Sequence, residues 1–314
     1  MPQLLVPMEH RYTLSDLSRW AKNSELMPSE FKLAVIGSPI EHSASPQMHN
    51  AALEKIGREE RYIRLRIEPD ELEEAFKLLL AAGFLGWNLT IPHKMAALDL
   101  VDQVEPEAAK LGAVNTVIVR NGKLIGANTD GEGIVSALRY EFGFDSRDSR
   151  VMMLGTGGAG QAIAKQLALK GCESLILVNR THEKAVRVEK ELRALFPARG
   201  DKWVKSIPWT DTMIESGLRD TDLVVNATCS EFHSDAKILT ASTLADHADR
   251  LCIYDTNYTP WCTKQVTQAQ LAGVKAANGA GMLVFQGALS FKEWFGIEPD
   301  IEVMVQAVRD AVDK

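Results

Sequence analysis

The chain has 314 residues, which is long enough for two domains with a hydrophobic core in each. Its 35 lysines and arginines against 42 acidic residues give a net charge of −7, and this balance gives no reason to expect a nucleic-acid partner. No stretch approaches the roughly 18 consecutive apolar residues of a membrane span, and the first ten residues do not resemble a signal peptide. We therefore expect a cytoplasmic protein with no membrane partner.

The four cysteines support a reducing compartment. Cys172, Cys229, Cys252 and Cys262 show neither a Cys-x-x-Cys pair nor the spacing of zinc ligands. We interpret them as free thiols and expect no metal site.

Residues 1–30 form an N-terminal extension, and their only helical signal is at residues 13–20. A helix docked on the protein is the simplest expectation, with the polar residues 22–24 and Pro28 as a linker behind it. The sequence does not indicate what the extension does.

Strands and helices then alternate, which predicts a parallel sheet with helices on its faces. Strands are predicted at residues 32–37, 61–67 and 86–91, and helices at residues 47–56 and 69–82.

Two serines stand at the start of the first of these helices. Ser45-Pro46 resembles an N-cap followed by proline at the first helical position. Ser43 and Ser45 could place two hydroxyls beside the helix N-terminus, where a carboxylate is favoured. On the residues alone, a cap and a turn are the simpler interpretation.

Lys94 follows a strand and precedes a helix predicted over residues 95–101. A cation in the first turn of a helix opposes the helix dipole, which favours the neutral amine and suits it to proton transfer. An exposed lysine with its ammonium in solvent is the simpler alternative. His93 has no second ligand at i+4 and is not expected to bind metal.

Residues 114–120 and 123–127 flank Asn121-Gly122, which strongly favours a type I′ hairpin and makes the first sheet mixed. A helix is predicted to begin near residues 128–133 and to end at Phe142. Asp130 either caps this helix or brings a carboxylate to the carboxyl edge of the sheet.

An apolar run at residues 151–154 is followed by Gly155-Thr156-Gly157-Gly158-Ala159-Gly160, a helix and a second apolar strand. This order is typical of a dinucleotide-binding βαβ unit. Gly155 allows the tight turn, Gly157 lets the backbone approach a pyrophosphate, and Gly160 lets the helix pack close to the strand. The free N–H groups of the helix then face the phosphates.

The second strand of this unit ends in Asn179-Arg180-Thr181, with Lys184 one turn later, where NAD sites usually have an acidic residue. Arg180 can donate two hydrogen bonds to a phosphate, and Thr181 supplies a hydroxyl. Because cations at a helix N-terminus oppose the dipole, an anionic ligand explains them better than a solvated helix start. We therefore predict NADP rather than NAD.

The rest of the chain completes a second sheet. Strands are predicted at residues 202–207, 223–226, 251–254 and around Val274, and helices at residues 183–195, 282–295 and 300–312. Asn226-Ala227-Thr228 and residues 255–258 follow two strand ends, where such sheets bind ligands.

Together these segments resemble the shikimate dehydrogenases over residues 31–312. The segments that carry the resemblance are residues 37–46 with His49-Asn50, Asn88-Leu89-Thr90-Ile91-Pro92-His93-Lys94, Gly112-Ala113-Val114-Asn115-Thr116, Asn128-Thr129-Asp130-Gly131, the glycine turn, Asn179-Arg180-Thr181, Tyr254-Asp255 with Tyr258 and Pro260, and Gly281-Met282-Leu283 with Gln286.

The resemblance implies NADP-linked reduction of 3-dehydroshikimate to shikimate, and the reverse reaction. It also implies a two-domain α/β fold. Residues 31–128 with 281–314 would form a substrate and catalytic domain with a mixed sheet, to which the C-terminal helices return. Residues 129–280 would form a doubly wound, Rossmann-type NADP-binding domain.

The resemblance further implies the roles of individual residues. Lys94 and Asp130 would be the catalytic pair, and Ser43 and Ser45 would take the substrate carboxylate. Contacts to ring hydroxyls, or ordering of the site, would fall to Asn88, Thr90, Asn115, Tyr258 and Gln286. The cofactor site would comprise Gly155, Gly157, Gly158, Ala159, Gly160, Asn179, Arg180, Thr181, Lys184, Ala227, Thr228, Gly279 and Met282.

One segment departs from the family pattern, since Cys229-Ser230-Glu231-Phe232 stands where the family usually has a glycine. Two alternatives stay open: a quinate or broader polyol-acid dehydrogenase with wider cofactor use, and a dinucleotide-binding regulator without catalysis. The regulator would be expected to lack Lys94 or Asp130. The sequence leaves a monomer and a homodimer equally open.

Overall fold

The computed structural model describes residues 11–228 and 239–313, which form two compact units. The first unit runs to Thr129 and resumes at Gln286–Val312, and the second spans Asp130–Phe285.

The first unit contains a seven-stranded sheet in the order β1-β3-β2-β4-β6-β7-β5. Its strands are β1 Arg11–Thr13, β2 Phe31–Gly37, β3 Arg61–Arg66, β4 Gly86–Leu89, β5 Gln103–Val104, β6 Thr116–Arg120 and β7 Lys123–Ala127. The first four strands in this order are parallel, whereas β6 is antiparallel to both β4 and β7. The predicted mixed sheet is therefore confirmed.

The β6–β7 turn is the type I′ turn that the sequence predicts. Asn121 and Gly122 both have positive φ, 53° and 74°, and Arg120 pairs with Lys123 across the turn. Asparagine and glycine tolerate this left-handed backbone, so the local sequence alone sets the hairpin register.

Between residues 11 and 129, the helices of the first unit are α1 Leu14–Lys22, α2 Ser45–Lys55, α3 Leu72–Ala81 and α4 Pro106–Leu111. The N-terminal extension belongs to this unit. Helix α1 docks on α3, as expected, and β1 adds an edge strand beside β3 that the sequence did not reveal. Tyr12 and Trp20 are buried, with ring centroids 5.0 Å apart.

The helix predicted over residues 95–101 is wrong. The chain from Ile91 to Met95 forms turns, and only a four-residue 3-10 helix follows, Ala96–Asp99. The Lys94 carbonyl accepts the Val114 N–H at 2.8 Å, and the Leu98 N–H, which an α-helix would direct to Lys94, bonds instead to the Met95 carbonyl at 3.2 Å.

The second unit contains a six-stranded parallel sheet in the order β10-β9-β8-β11-β12-β13. Its strands are β8 Arg150–Leu154, β9 Ser174–Asn179, β10 Val204–Pro208, β11 Leu223–Asn226, β12 Cys252–Asp255 and β13 Lys275–Asn278. In chain order within the unit this is 3-2-1-4-5-6, the Rossmann arrangement, with its switch point between β8 and β11. The predicted doubly wound fold is confirmed.

Helices of the second unit are α5 Asp130–Phe142, α6 Gly158–Leu169, α7 His182–Leu195, α8 Asp211–Leu218, α9 Ala241–Leu244 and α10 Lys264–Leu271. Two separate clusters of buried apolar residues line alternating positions of the strands, for example Met153 and Leu177 in one and Met152 and Ile176 in the other. Alternate strand residues point to opposite faces, so each face of the sheet has its own core.

The last two helices are α11 Ala280–Phe295 and α12 Ile301–Val312. The boundary between the units falls within α11, after Phe285. Helix α12 packs against α2 of the first unit.

Within residues 11–228 and 239–313, no helix is long and apolar enough to cross a membrane. In the same part of the chain, no three His, Cys, Asp or Glu side chains group as metal ligands. Cys172, Cys252 and Cys262 are free thiols, and Cys229 lies outside the described residues.

Candidate active site

Ser43 and Ser45 lie together in the turn between β2 and α2. The Ser43 hydroxyl donates to the Ser45 hydroxyl at 3.1 Å and accepts the Ser45 N–H at 3.3 Å. The predicted N-cap at Ser45 is wrong by one residue, because α2 begins at Ser45 and Ala44 occupies the cap position. The two hydroxyls still meet at a helix N-terminus, which suits them to a carboxylate.

A buried arginine from β3 holds this turn. Arg64 donates from Nε and Nη2 to the Ser43 carbonyl at 3.0 and 2.6 Å, and from Nη2 to the Gln47 side-chain oxygen at 3.0 Å. A guanidinium is always charged, so Arg64 brings positive charge next to the serine pair. We did not identify Arg64 from the sequence, where it is one of several arginines in a strand.

Asn88, at the end of β4, uses its amide within the protein. Its nitrogen donates to the Asn115 carbonyl at 3.2 Å, to the Thr116 hydroxyl at 3.0 Å and to the Ser290 hydroxyl at 2.9 Å. Its side-chain oxygen accepts the Tyr62 hydroxyl at 2.8 Å. The resemblance allows Asn88 either to contact a ring hydroxyl or to order the site, and these bonds support the ordering role.

Asn115 joins three parts of the first unit. Its side-chain nitrogen donates to the Thr129 hydroxyl at 2.9 Å and to the Gln286 side-chain oxygen at 3.3 Å. Its side-chain oxygen accepts the Thr129 N–H at 2.8 Å, and its backbone carbonyl accepts the Leu89 N–H at 2.8 Å. Asn115 therefore holds Thr129 at both its backbone N–H and its hydroxyl.

Tyr62, Thr116 and Ser290 complete this polar cluster and were not identified from the sequence. Burial raises the pKa of Tyr62 well above its usual value, so the hydroxyl stays protonated as a donor to Asn88. Asn88 and Ser290 are 202 residues apart, and no local pattern could have joined them.

His49 of α2 is fully buried under the same cluster. Its ring stacks on Tyr62 with centroids 4.3 Å apart and an interplanar angle of 10°, and neither ring nitrogen has a hydrogen-bond partner among the described residues. Burial lowers the pKa of His49 to about 3, so the ring is neutral. His93 is also buried and donates from Nε2 to the Ile67 carbonyl at 2.8 Å, which supports a structural role for it.

Lys94 lies in the turn after β4, half-buried, and not in an α-helix. The helix-dipole argument for its reactivity therefore falls. The turn is nevertheless well anchored. Thr90 donates its N–H to the Ile36 carbonyl at 2.9 Å, and the Lys94 carbonyl accepts from Val114, the residue before Asn115. These bonds bring the Lys94 backbone next to the Asn88 and Asn115 cluster.

In the second unit, the glycine turn after β8 has the geometry that the fingerprint predicts. Gly155 has φ 89°, and a Cβ at Gly160 would lie 2.0 Å from the Gly155 carbonyl oxygen. At Gly157 and Gly158, which are exposed, a Cβ would meet nothing within 4 Å. The turn is thus tightly packed at Gly155 and Gly160, and its Gly157–Ala159 segment is exposed to solvent.

Asn179 connects this turn to the end of β9. Its side-chain oxygen accepts the Thr156 N–H at 3.0 Å, and its nitrogen donates to the Thr181 carbonyl at 2.9 Å. Arg180, Thr181 and Lys184 are exposed just beyond it. The basic side chains that favour NADP therefore stand beside the glycine turn.

The ends of β11 and β12 form a third polar group. The Asn226 side-chain oxygen accepts the Thr228 hydroxyl at 2.7 Å, and the buried Asp255 accepts the Thr263 hydroxyl at 2.7 Å. Asn257 donates to the Thr228 carbonyl at 2.9 Å. The loop with Ala227 and Thr228 is thereby fixed next to the switch point. The departure at residues 229–232 lies outside the described residues.

The start of α11 is fixed by Tyr254. The Tyr254 hydroxyl accepts the Met282 N–H at 2.8 Å, and Gly279 donates its N–H to the Asn257 carbonyl at 3.0 Å. Tyr258 lies in the loop after β12 and is half-buried.

The glycine turn fits a dinucleotide. It offers an open surface at the start of α6, with exposed cations beyond β9. The buried Thr156 hydroxyl has no hydrogen-bond partner within the described ranges. An orphaned donor of this kind next to free N–H groups favours an anionic ligand.

Three family models match the chain. They are described as shikimate dehydrogenase substrate binding domain over residues 35–117, shikimate / quinate 5-dehydrogenase over residues 136–255, and shikimate 5'-dehydrogenase C-terminal domain over residues 279–309.

Individual relatives agree with these models. A shikimate dehydrogenase (NADP(+)) of Methanopyrus kandleri is 39% identical, covering 88% of this chain and 94% of its own. The crystal structure of a Thermus thermophilus shikimate 5-dehydrogenase with NADP(H) and shikimate has a TM-score of 0.75 and 35% identity, over 90% of this chain and 99% of that one. A Corynebacterium glutamicum quinate dehydrogenase in complex with NAD has a TM-score of 0.75 and 27% identity, over 88% and 98%. Because the likeness extends through both units at this level of identity, the chain belongs to the shikimate dehydrogenase family.

Proposed function

We propose that the chain is an NADP-dependent shikimate dehydrogenase. It reversibly reduces 3-dehydroshikimate to shikimate in the chorismate route to aromatic amino acids. The observation that carries the proposal is the donor set of the first unit. A serine pair at a helix N-terminus suits a carboxylate, and the amides around Asn115 suit ring hydroxyls.

The proposed domain roles follow from this division. Residues 31–128 with 281–314 bind substrate, and residues 129–280 bind NADP. The carboxylate binds the Ser43 and Ser45 hydroxyls. The ring hydroxyls bind Thr90, Asn115, Tyr258 and Gln286, with Asn88 holding Asn115 in place.

Lys94 and Asp130 form the catalytic pair of the proposal. The bound nicotinamide supplies the hydride in the reduction and accepts it in the oxidation. Lys94 donates a proton to the carbonyl oxygen in the reduction, and it takes the hydroxyl proton in the oxidation. Asp130 orients the Lys94 amine towards the reacting oxygen.

The cofactor residues of the proposal are the same set that the sequence suggests. The glycine turn, Gly155, Gly157, Gly158, Ala159 and Gly160, receives the pyrophosphate. Arg180, Thr181 and Lys184 hold the 2′-phosphate, and Asn179 fixes the backbone at Thr156 and Thr181 beside them. Ala227, Thr228, Gly279 and Met282 complete the site.

Steady-state assays with shikimate or quinate, and with NADP or NAD, test the proposal through the absorbance of the reduced nicotinamide. Rapid reduction of NADP with shikimate, and little with quinate, is expected. Turnover only with quinate or only with NAD would instead indicate a quinate or broader polyol-acid dehydrogenase. The likeness to the NAD-bound quinate dehydrogenase favours this second candidate. NADP binding without turnover of any pair would favour the regulator, against which the presence of both Lys94 and Asp130 argues.

We also propose a cytoplasmic location, supported by the free thiols of Cys172, Cys252 and Cys262. A monomer or a homodimer is proposed, and light scattering of the purified protein distinguishes the two.

A further inference from the structure

Four side chains of alternating charge lie along the turn that carries the serine pair. We name them the charged chain: Arg11, Glu41, Arg66 and Glu68. Arg11 Nη1 is 2.8 Å from Glu41 Oε1, and Arg66 Nη1 is 3.5 Å from the same oxygen. Arg66 Nε then lies 3.0 Å from Glu68 Oε1. Each inner member thus has a partner of opposite charge on both sides.

Glu41 is two residues before Ser43 and organises the turn around it. Its carboxylate accepts the Ile40 N–H at 2.9 Å, and the Ser43 N–H in turn donates to the Ile40 carbonyl at 3.2 Å. Hydrogen bonds from the backbone N–H groups of Glu41 and Ile40, and then the charges of Arg11 and Arg66, lower the pKa of Glu41. The carboxylate therefore stays ionised and keeps both arginines.

The other end of the turn is held by Glu68. The Ser38 hydroxyl donates to the Glu68 carboxylate at 2.9 Å, and the Ser38 N–H donates to the Ile91 carbonyl at 3.1 Å. The hydrogen bond from Ser38, followed by that from Arg66, lowers the pKa of Glu68. The charged chain thus holds the turn at Ser38 and again just before the serine pair.

Arg11 comes from β1, which pairs in parallel with β3. The matches to family models begin at residue 35, so β1 and Arg11 lie outside them. The N-terminal segment therefore brings a charge to the substrate-binding turn that the family-matched part of the chain does not contain.

We propose that Glu41 is a positioning residue for the serine pair, and that β1 acts on substrate affinity through Arg11. This inference rests on the proposed function, since it takes the substrate carboxylate as the ligand of Ser43 and Ser45. A carboxylate binds best when both hydroxyls and the N-terminus of α2 are already arranged for it. Without the charged chain, the turn loses contacts that set this arrangement, whereas the backbone bonds of Thr90 to Ile36 and of Val114 to Lys94 do not involve it.

The effect falls on ground-state binding. An interaction that helps substrate and transition state equally changes KM and leaves kcat unchanged. We therefore expect Glu41→Gln to raise the KM for shikimate about five- to tenfold, since it weakens two ion pairs. Arg11→Ala removes one exposed pair and is expected to raise that KM about two- to fivefold. In both variants, kcat and the KM for NADP should stay within about twofold of the wild type.

Matched variants separate this role from general stability. Arg19→Ala removes an exposed arginine of the same segment, which pairs with Asp16 at 2.6 Å and does not belong to the charged chain. Arg19→Ala should leave the KM for shikimate unchanged. Arg11→Lys keeps the positive charge, so its KM for shikimate should lie closer to the wild-type value than that of Arg11→Ala. Arg11 is half exposed, so its variants keep the test available even where Glu41→Gln folds poorly.

The inference is overturned if Glu41→Gln and Arg11→Ala keep the wild-type KM for shikimate. It is also overturned if they lower kcat or weaken NADP to the same degree, or if Arg19→Ala has the same effect as Arg11→Ala. Titration calorimetry with shikimate alone gives the same comparison of affinities without turnover. An inactive wild type whose shikimate affinity still falls in Arg11→Ala would count against the proposed function and not against the positioning role.

Discussion

The buried Tyr62 hydroxyl donates a 2.8 Å hydrogen bond to the side-chain oxygen of Asn88. Asn88 passes this constraint to Asn115, because its amide nitrogen donates to the Asn115 carbonyl at 3.2 Å. Asn115 in turn contacts Gln286. Tyr62, which the sequence did not place in the site, therefore supports through hydrogen bonds the polar groups that we propose for the ring hydroxyls.

Replacing Tyr62 with phenylalanine removes only the hydroxyl and leaves the Asn88 oxygen buried without this donor. We expect a loss of about 1–3 kcal/mol in the free energy of unfolding, the usual cost of an unsatisfied buried polar group. Chemical denaturation measures it. A Tyr62→Phe variant as stable as the wild type would contradict the role of the bond.

His49 makes stability depend on pH in a defined window. Burial lowers its pKa in the folded protein to about 3, whereas an unfolded chain protonates histidine near its ordinary value of 6.5. As pH falls below that value, the unfolded chain takes up a proton that the folded protein does not. The contribution of His49 to stability is thus complete at neutral pH and is lost on acidification, by at most about 1.4 kcal/mol per pH unit.

His49→Phe removes this titration and keeps an aromatic ring against Tyr62. Between about pH 6.5 and 5, its free energy of unfolding should fall less steeply than that of the wild type. Denaturation at several pH values checks the slope, with the exposed His42→Asn as the control. A wild-type slope in His49→Phe would show that the ring is charged or accessible in the folded protein.

Lys94→Ala tests the proposed proton transfer. Loss of a general acid or base typically lowers turnover by about 10²–10⁴-fold, and we expect kcat with shikimate to fall in this range. Binding of NADP should persist. Lys77→Ala, in α3, removes an exposed lysine as a control. If Lys94→Ala keeps turnover within a few-fold of the wild type, the catalytic assignment is wrong.

Arg180→Ala tests cofactor choice. Loss of a charged hydrogen bond to the 2′-phosphate should weaken NADP by about 1–3 kcal/mol, seen as a higher KM, and leave NAD unaffected. Arg187→Ala, exposed on the following helix α7, is the matched control. Equal losses for the two cofactors would rule out the phosphate role.

Local signals predicted what depends on local chemistry. Asn121-Gly122 determines the backbone of its own turn, and Gly155 and Gly160 meet the constraints of one strand–helix turn. Both predictions are confirmed, because neither requires a distant part of the chain.

Failures came where a distant segment decides the structure. After Lys94, whose carbonyl accepts from Val114, the chain forms only a short 3-10 helix, and β1 pairs with β3, some fifty residues later. Ser290 reaches Asn88 across 202 residues. Periodicity and spacing carry no information about such pairings. Tyr62, Thr116 and Ser290 could therefore be identified only from the folded structure.

The short strand β1 also protects the sheet it joins. Without β1, residues Arg64–Arg66 of β3, which pair with it, would lie at the edge of the sheet with unpaired N–H and C=O groups. The apolar surface now covered by Tyr12, Leu17 and Trp20 would be exposed beside it. An exposed edge of this kind is a template for pairing with a second chain, and β1 covers part of it here.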